Sequence, residues 1–95
     1  MRITKEVIFV AKEENIEELK ALLKTMIEPS QKSQGCLLYE IYQMDDKPNT
    51  FVVIESWKDE AALDGHKNSA HYNHYKSHFE PYTAEKYSHS LSSLA

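Results

Sequence analysis

Residues 2 to 11, RITKEVIFVA, are rich in β-branched and aromatic side chains, with Ile3, Val7 and Phe9 on one parity and Ile8 and Val10 on the other. This two-residue period predicts a first strand. The period then lengthens: Ile16, Leu19, Leu22, Leu23, Met26 and Ile27 recur at steps of three and four, separated by Glu17, Glu18, Lys20 and Lys24. Such spacing predicts an amphipathic helix. Asn15 and Glu18 stand at capping-box distance at its start, and Pro29, which lacks an N–H, predicts its end or a kink near Glu28. Gln34-Gly35 turns the chain.

Residues 36 to 44, CLLYEIYQM, and 50 to 58, TFVVIESWK, predict a hairpin around the polar turn Asp45 to Asn49. Both strands are apolar on both parities. Leu37, Tyr39 and Ile41 share one face, with Cys36, Leu38 and Tyr42 on the other; Phe51 and Val53 oppose Val52 and Ile54. A half-solvated strand alternates cleanly, so both faces of this sheet are expected to be covered. Asp59 opens a second helical region with Ala62, Leu63 and His66 on one stripe, and Asn68-Ser69 predicts a break with a fresh N-cap. Helix resumes from Ala70 to Glu80, up to Pro81; residues 83 to 90, TAEKYSHS, predict a weak last strand, and residues 91 to 95 a polar tail.

The resulting order, βαββαβ, predicts one α+β domain over residues 1 to 95. It is a ferredoxin-like, four-stranded antiparallel sheet with its helices on one face. The other face is left bare and apolar. A second copy laid sheet to sheet would cover it, so the pattern predicts a homodimer.

Composition narrows the possible functions. Among 95 residues, 41% are apolar and only two are Gly and three Pro, which argues against a disordered chain. A formal charge of −4 disfavours an electrostatic grip on nucleic acid. The longest apolar run, Val7 to Ala11, is far short of the roughly twenty residues that a membrane-spanning helix needs. Arg2, Lys5 and Glu6 interrupt any signal-peptide core, so a cytoplasmic location is expected. Cys36 is the single cysteine and reads as a small core residue.

Candidate chemistry concentrates in residues 55 to 72. Glu55 and Trp57 share a strand parity with Phe51 and Val53, so a carboxylate and an indole project from an apolar face. An ionised carboxylate there needs a partner or a raised pKa, and a hydrogen bond to the second helix is the expected solution. Trp57 is first of all a packing unit. His66 stacks with Ala62 and Leu63 and points inward; an imidazole titrating near neutrality can take a proton from an acidic phenol or an enediol. Tyr72, Tyr75, Phe79 and Tyr82 form an aromatic face, while His71, His74 and His78 form a neighbouring imidazole face. With no thiolate and no ligand from a second helix, those imidazoles read as a polar helix boundary rather than a metal site. No glycine-rich phosphate cradle, Rossmann signal or Ser/His/Asp arrangement occurs, so no cofactor is expected.

Taken together, Gly35-Cys36-Leu37-Leu38-Tyr39, Glu55-Ser56-Trp57, Ala62, His66, His71 and Tyr72 resemble the antibiotic biosynthesis monooxygenase domain family of the dimeric α+β barrel group, near its small quinol-monooxygenase-like bacterial members. The resemblance extends over about residues 3 to 90. It implies a homodimer with a pocket between sheet and helices in each subunit. It also implies oxidation of a small aromatic, quinol-like molecule by dioxygen with neither metal nor flavin, the deprotonated substrate supplying the electrons. By that likeness His66 is the proton acceptor or anion partner, and Trp57 and Tyr72 line and orient a flat ring. His71 is a second polar contact, with Tyr39 and Glu55 completing the substrate-binding set. Haem-degrading relatives carry an Asn on the first strand, which this chain lacks. An isomerase of a phosphorylated autoinducer dione is also resembled, through His66-Lys67 and His71-Tyr72, and a non-catalytic, stress-associated ligand-binding dimer is a third possibility. A Lys or Arg at the pocket mouth favours a phosphate-bearing substrate, and an uncharged aromatic slot favours a quinol.

Overall fold

Strand β1 runs from Ile3 to Ala11 and is followed by a 3-10 turn, Glu13–Asn15, and helix α1, Ile16–Gln31. Strands β2, Cys36–Gln43, and β3, Thr50–Trp57, form the hairpin; α2, Glu60–Lys67, and α3, Ala70–His78, follow. A second 3-10 turn, Glu80–Tyr82, leads into β4, Thr83–Leu91. The computed structural model describes all residues from 1 to 95. The four strands form one antiparallel sheet in the order β2-β3-β1-β4, the α+β ferredoxin-like arrangement expected from the pattern.

Register decides what each face carries. Phe9 pairs with Phe51 and Val7 with Val53, which sets these side chains together under the helices. Leu19, Leu22, Leu23 and Met26 of α1, Leu63 of α2 and Tyr75 of α3 close over them as a buried cluster. On the opposite face Ile8, Val10, Val52 and Ile54 are only half-buried, and Tyr42 and Tyr87 are 55% and 45% exposed. That apolar sheet surface has no helix on it.

The helix ends depart from the expected pattern in instructive ways. Asn15 makes no capping contact with backbone; its amide donates to the Glu18 carboxylate at 3.3 Å, because the 3-10 turn already leads the chain into α1. Pro29 does not stop the helix, which continues to Gln31. Ser30 is completely buried, Ser33 Oγ donates to the Pro29 carbonyl at 2.8 Å, and the Gln31 side chain donates to the Tyr39 carbonyl at 3.0 Å, so tertiary contacts hold the last turn. The second helical region divides as expected. Asp59 accepts from the Ala62 N–H at 2.9 Å and Ser69 from the Tyr72 N–H at 3.2 Å. Helix α3 ends at His78, two residues before Glu80, and β4 includes Leu91.

A register shift between Cys36 and Leu38 changes the faces of β2. Cys36 pairs with Trp57 and packs against the core, whereas Leu37, expected beside Tyr39, is 52% exposed. One unpaired residue in a ladder reverses the side-chain direction ahead of it. Gly35 just before this point has φ +78°, and a Cβ there would lie 2.5 Å from the Ala62 Cβ. Only glycine permits both that backbone and the close approach of α2.

Candidate functional site

Trp57 ends β3 with no solvent exposure, and its Nε1–H donates to Glu55 Oε1 at 2.7 Å. The partner of Glu55, 7% exposed, is therefore the indole two residues along its own strand, not the second helix as expected. Side chains at i and i+2 point the same way on a strand, which lets the indole reach the carboxylate. Burial pushes the Glu55 carboxyl above its usual range, while the Trp57 hydrogen bond and the nearby Lys5, Lys67 and Lys86 act against the rise.

His66 on α2 is 3% exposed and points inward, as its stripe predicts. Its ring lies 4.5 Å from the Trp57 ring at 31°, 5.1 Å from Tyr72, 5.6 Å from His71 and 5.7 Å from Tyr39, measured between centroids. Nδ1 is buried with no hydrogen-bond partner. The expectation of a group titrating near neutrality is corrected here. Loss of hydration, with His71 and Lys67 beside it, lowers the His66 pKa to about 4, so the ring is neutral at pH 7.

This shift has a measurable consequence for stability. The unfolded imidazole binds its proton near pH 6.5 and the folded one only near pH 4, so acid favours the unfolded chain. The contribution is complete above pH 6.5 and is lost as pH falls through about 4, up to about 3 kcal/mol in all. His71 shifts in the same direction and Glu55 in the opposite one, so the His66 part is the difference between proteins with and without the ring. Urea unfolding at pH 7 and pH 4.5 is expected to show a larger stability loss in the native chain than in His66→Gln. Equal losses would contradict the buried, neutral imidazole.

His66 faces a cavity of about 160 Å³ between the sheet and the helices. Val7 and Phe9 of β1, Val53 of β3, Leu23 and Met26 of α1 and Leu63 of α2 form its apolar wall. Tyr39, Glu55, His66, Tyr72 and Tyr75 add polar atoms, and Lys5, Lys67, Lys86 and Ser88 complete the lining. Of the expected site residues, the cavity thus brings together Tyr39, Glu55, His66 and Tyr72. Trp57 and His71 stand behind: the indole packs on the His66 ring, and His71 Nε2 lies 3.2 Å from Ser69 Oγ. On its other side His66 borders a wider polar groove that includes Ser33, Gln34, Lys58 and Asp59. The imidazole face expected along α3 does not act as a unit. His71 turns toward His66, whereas His74 and His78 stack on each other at 4.5 Å at an exposed surface.

Lys5 and Lys86 are site residues that the sequence pattern did not single out, and Lys67 entered only through a family likeness; Tyr75, on the expected aromatic face, lines the cavity as well as the core. Lys5 shares the inward parity of Val7 and Phe9, which was the available signal. Lys86 pairs with Phe9 across β1 and β4, and its Nζ lies 4.9 Å from the Phe79 centroid and 5.5 Å from those of Phe9 and Tyr75. This aromatic cage holds the ammonium by cation–π attraction. Burial and the neighbouring Lys76 lower the Lys86 pKa, Glu55 opposing. The cavity is therefore not an uncharged slot.

No helix of the chain is long and apolar enough to cross a membrane. The sequence model of a family described as antibiotic biosynthesis monooxygenase matches residues 3–77. "Putative monooxygenase YcnE" of Bacillus subtilis is 34% identical over 61 residues, which cover 64% of this chain and 64% of that protein. Rv0793 of Mycobacterium tuberculosis, also named a "Putative monooxygenase", is 38% identical over 58 residues, covering 61% of this chain and 56% of the relative. Across the curated relatives the match spans only 40% to 64% of their length. In structure, the chain superposes on PA3566 from Pseudomonas aeruginosa with a TM-score of 0.94 at 29% identity, covering 99% of this chain and 95% of the other. The Rv0793 structure gives 0.93 at 26% identity, covering 100% and 97%.

Proposed function

The chain belongs to the antibiotic biosynthesis monooxygenase family, and from that premise we propose that it is a cofactor-independent monooxygenase oxidising a small aromatic, quinol-like substrate with dioxygen. The observation that carries this reading is the buried His66 imidazole on the wall of a cavity lined by apolar side chains and tyrosines. Unprotonated at pH 7, the ring can accept a proton; burial makes it a weaker base than free imidazole, and the anion forming beside it raises its pKa as the proton moves. Tyr72 and Tyr39 flank the space a flat ring would occupy, and Trp57 fixes the imidazole from behind.

The chemistry balances without another reductant. His66 takes the hydroxyl proton, and the resulting anion is electron-rich enough to pass an electron to dioxygen. The two radicals combine to form a carbon–oxygen bond, and cleavage of the oxygen–oxygen bond releases water. One hydroquinone and one dioxygen thus give one hydroxybenzoquinone and one water, all four electrons coming from the substrate. The lysines at the mouth stabilise negative charge as it develops. An oxygen electrode tests this: hydroquinone is expected to drive enzyme-dependent uptake of one dioxygen per molecule consumed. Uptake no faster than autoxidation would contradict it.

A second reading draws on one specific observation. Lys5, Lys67 and Lys86 around the cavity favour a substrate with an anionic group, as a phosphorylated dione has. Its isomerisation through an enediol needs only proton transfer by His66 and consumes no oxygen. Turnover of such a dione under anaerobic conditions would establish that activity instead.

The active assembly in this proposal is a homodimer. Ile8, Val52 and Tyr42 lie side by side in register across the uncovered face, giving an apolar strip that a second copy would bury. Sedimentation at micromolar concentration is expected to show a dimer for the native chain and a monomer for Val52→Lys. A native monomer, or a Val52→Lys dimer of undiminished stability, would contradict this interface.

A further inference from the structure

Resting on the monooxygenase reading of the site, we propose that the substrate is a single-ring hydroxyaromatic bearing a carboxylate, and that Lys86 with Lys5 and Lys67 binds that carboxylate. Size sets the first limit. The cavity of about 160 Å³ is close to the roughly 150 Å³ void that admits one benzene ring. One ring fits, whereas a fused three-ring substrate does not fit without opening the helices.

Charge sets the second limit. The chain as a whole is acidic, with 11 Lys+Arg against 15 Asp+Glu, yet three lysines from β1, α2 and β4 meet at this one cavity beside a single carboxylate, Glu55. None of the three forms an ion pair; the ion pairs of the chain are Lys32–Glu28 and His89–Glu6. Glu55 is hydrogen-bonded to Trp57 instead. The Lys86 ammonium is held between the Phe9, Tyr75 and Phe79 rings, which positions the charge but offers it no anion. Glu55 balances one of these three charges at a distance, and a carboxylate entering the mouth supplies further counter-charge and acceptor oxygens. Lys67 and Lys86 remain in contact with solvent, so the charged end of a ligand lies outward and its ring inward.

The wall behind the lysines chooses between kinds of anion. Val7, Leu23, Met26 and Val53 offer no hydrogen bonds. An aromatic ring loses nothing against them, whereas hydroxyl groups turned toward these four side chains rather than toward Tyr39, Tyr72 or Tyr75 would be left unpaired. Orientation follows as well: with the carboxylate at the lysines, a ring hydroxyl points toward His66.

Calorimetric titration under anaerobic conditions separates binding from oxygen chemistry. Dihydroxybenzoate is expected to bind at least about tenfold more tightly than the uncharged dihydroxybenzamide. Lys86→Gln is expected to reduce that preference to under about threefold, with Lys86→Arg retaining most of it. Lys5→Gln provides the same comparison should Lys86→Gln fail to fold. Equal affinity for acid and amide, no acid binding at millimolar concentration, or a tenfold preference for a phosphorylated open-chain dione would overturn the proposal. Preference for the acid without oxygen uptake would leave the anion site standing and remove the monooxygenase reading. Oxidation of hydroquinone without preference for the acid would do the reverse.

Discussion

His66→Ala is expected to lower the proposed hydroquinone-dependent oxygen uptake by at least about 100-fold, the lower range for loss of a positioned general base, with the far-ultraviolet circular dichroism staying native. The ring is the one imidazole on the cavity wall. The Glu55 carboxylate also faces the cavity, but its Oε1 accepts from Trp57 and its raised pKa reflects the cost of keeping it charged there. The substitution costs the ring's packing on Trp57 but breaks no hydrogen bond at the buried Nδ1, which has no partner. Oxygen uptake within about threefold of native would move the proton acceptor to another group, with Glu55 the first to examine.

Trp57→Ala acts on stability instead, and its expected cost is about 3–5 kcal/mol, the usual range for removing a large aromatic side chain from a core. Trp57 has no exposure, pairs with Cys36 and Ile3 on neighbouring strands, and packs on His66. Its loss also leaves the Glu55 carboxylate buried without its donor, which adds to the penalty. In a domain of this size the fall in Tm is well over about 10 °C. Trp57→Phe keeps most of the packing and loses only the Nε1 donor, so it is expected to cost about 1–3 kcal/mol. Thermal unfolding of both variants and the native chain at one protein concentration, required for an associating protein, measures the difference. A Trp57→Ala chain as stable as the native one would remove the indole from its structural place.

Much of this arrangement was legible in the residue pattern. Strict spacing at Ile16, Leu19, Leu22, Leu23 and Met26 sets the packing stripe of α1, whereas the two-sided apolar pattern shared by β2 and β3 does not tell the edge strand from the central one. Ala62, Leu63 and His66 share a stripe, which brings the imidazole inward before any coordinate is known. What escaped the pattern depends on distant partners. Past Pro29 the helix runs on to Gln31, whose side chain is tied to the Tyr39 carbonyl of β2, and Leu37 turns outward because a bulge interrupts pairing with β3. Neither cause lies within a local window of sequence.

The lysines escaped for a related reason. Lys5 figures in the sequence only as a charge interrupting an apolar run, and becomes a site residue because it lines the same cavity as Leu63, His66 and Lys67 of α2. Lys86 sits in TAEKYSHS, whose mixed pattern defines no register until β4 pairs with β1. The aromatic cage then assembles from Phe9 of β1 with Tyr75 and Phe79 at the end of α3, more than sixty residues further along the chain. Likewise, the lowering of the His66 pKa to about 4 follows from burial and from the nearby His71 and Lys67, which spacing alone does not report.

The most direct test observes the His66 ring itself. Nitrogen-edited NMR of the imidazole, followed across pH with and without anaerobic dihydroxybenzoate, reads both its contact with ligand and its protonation. The account predicts a free-state midpoint near pH 4, rising when the anionic ligand is bound because the imidazolium then has a counter-charge. Ring resonances that do not move on ligand binding, at any pH, would contradict the assignment of His66 as the proton acceptor.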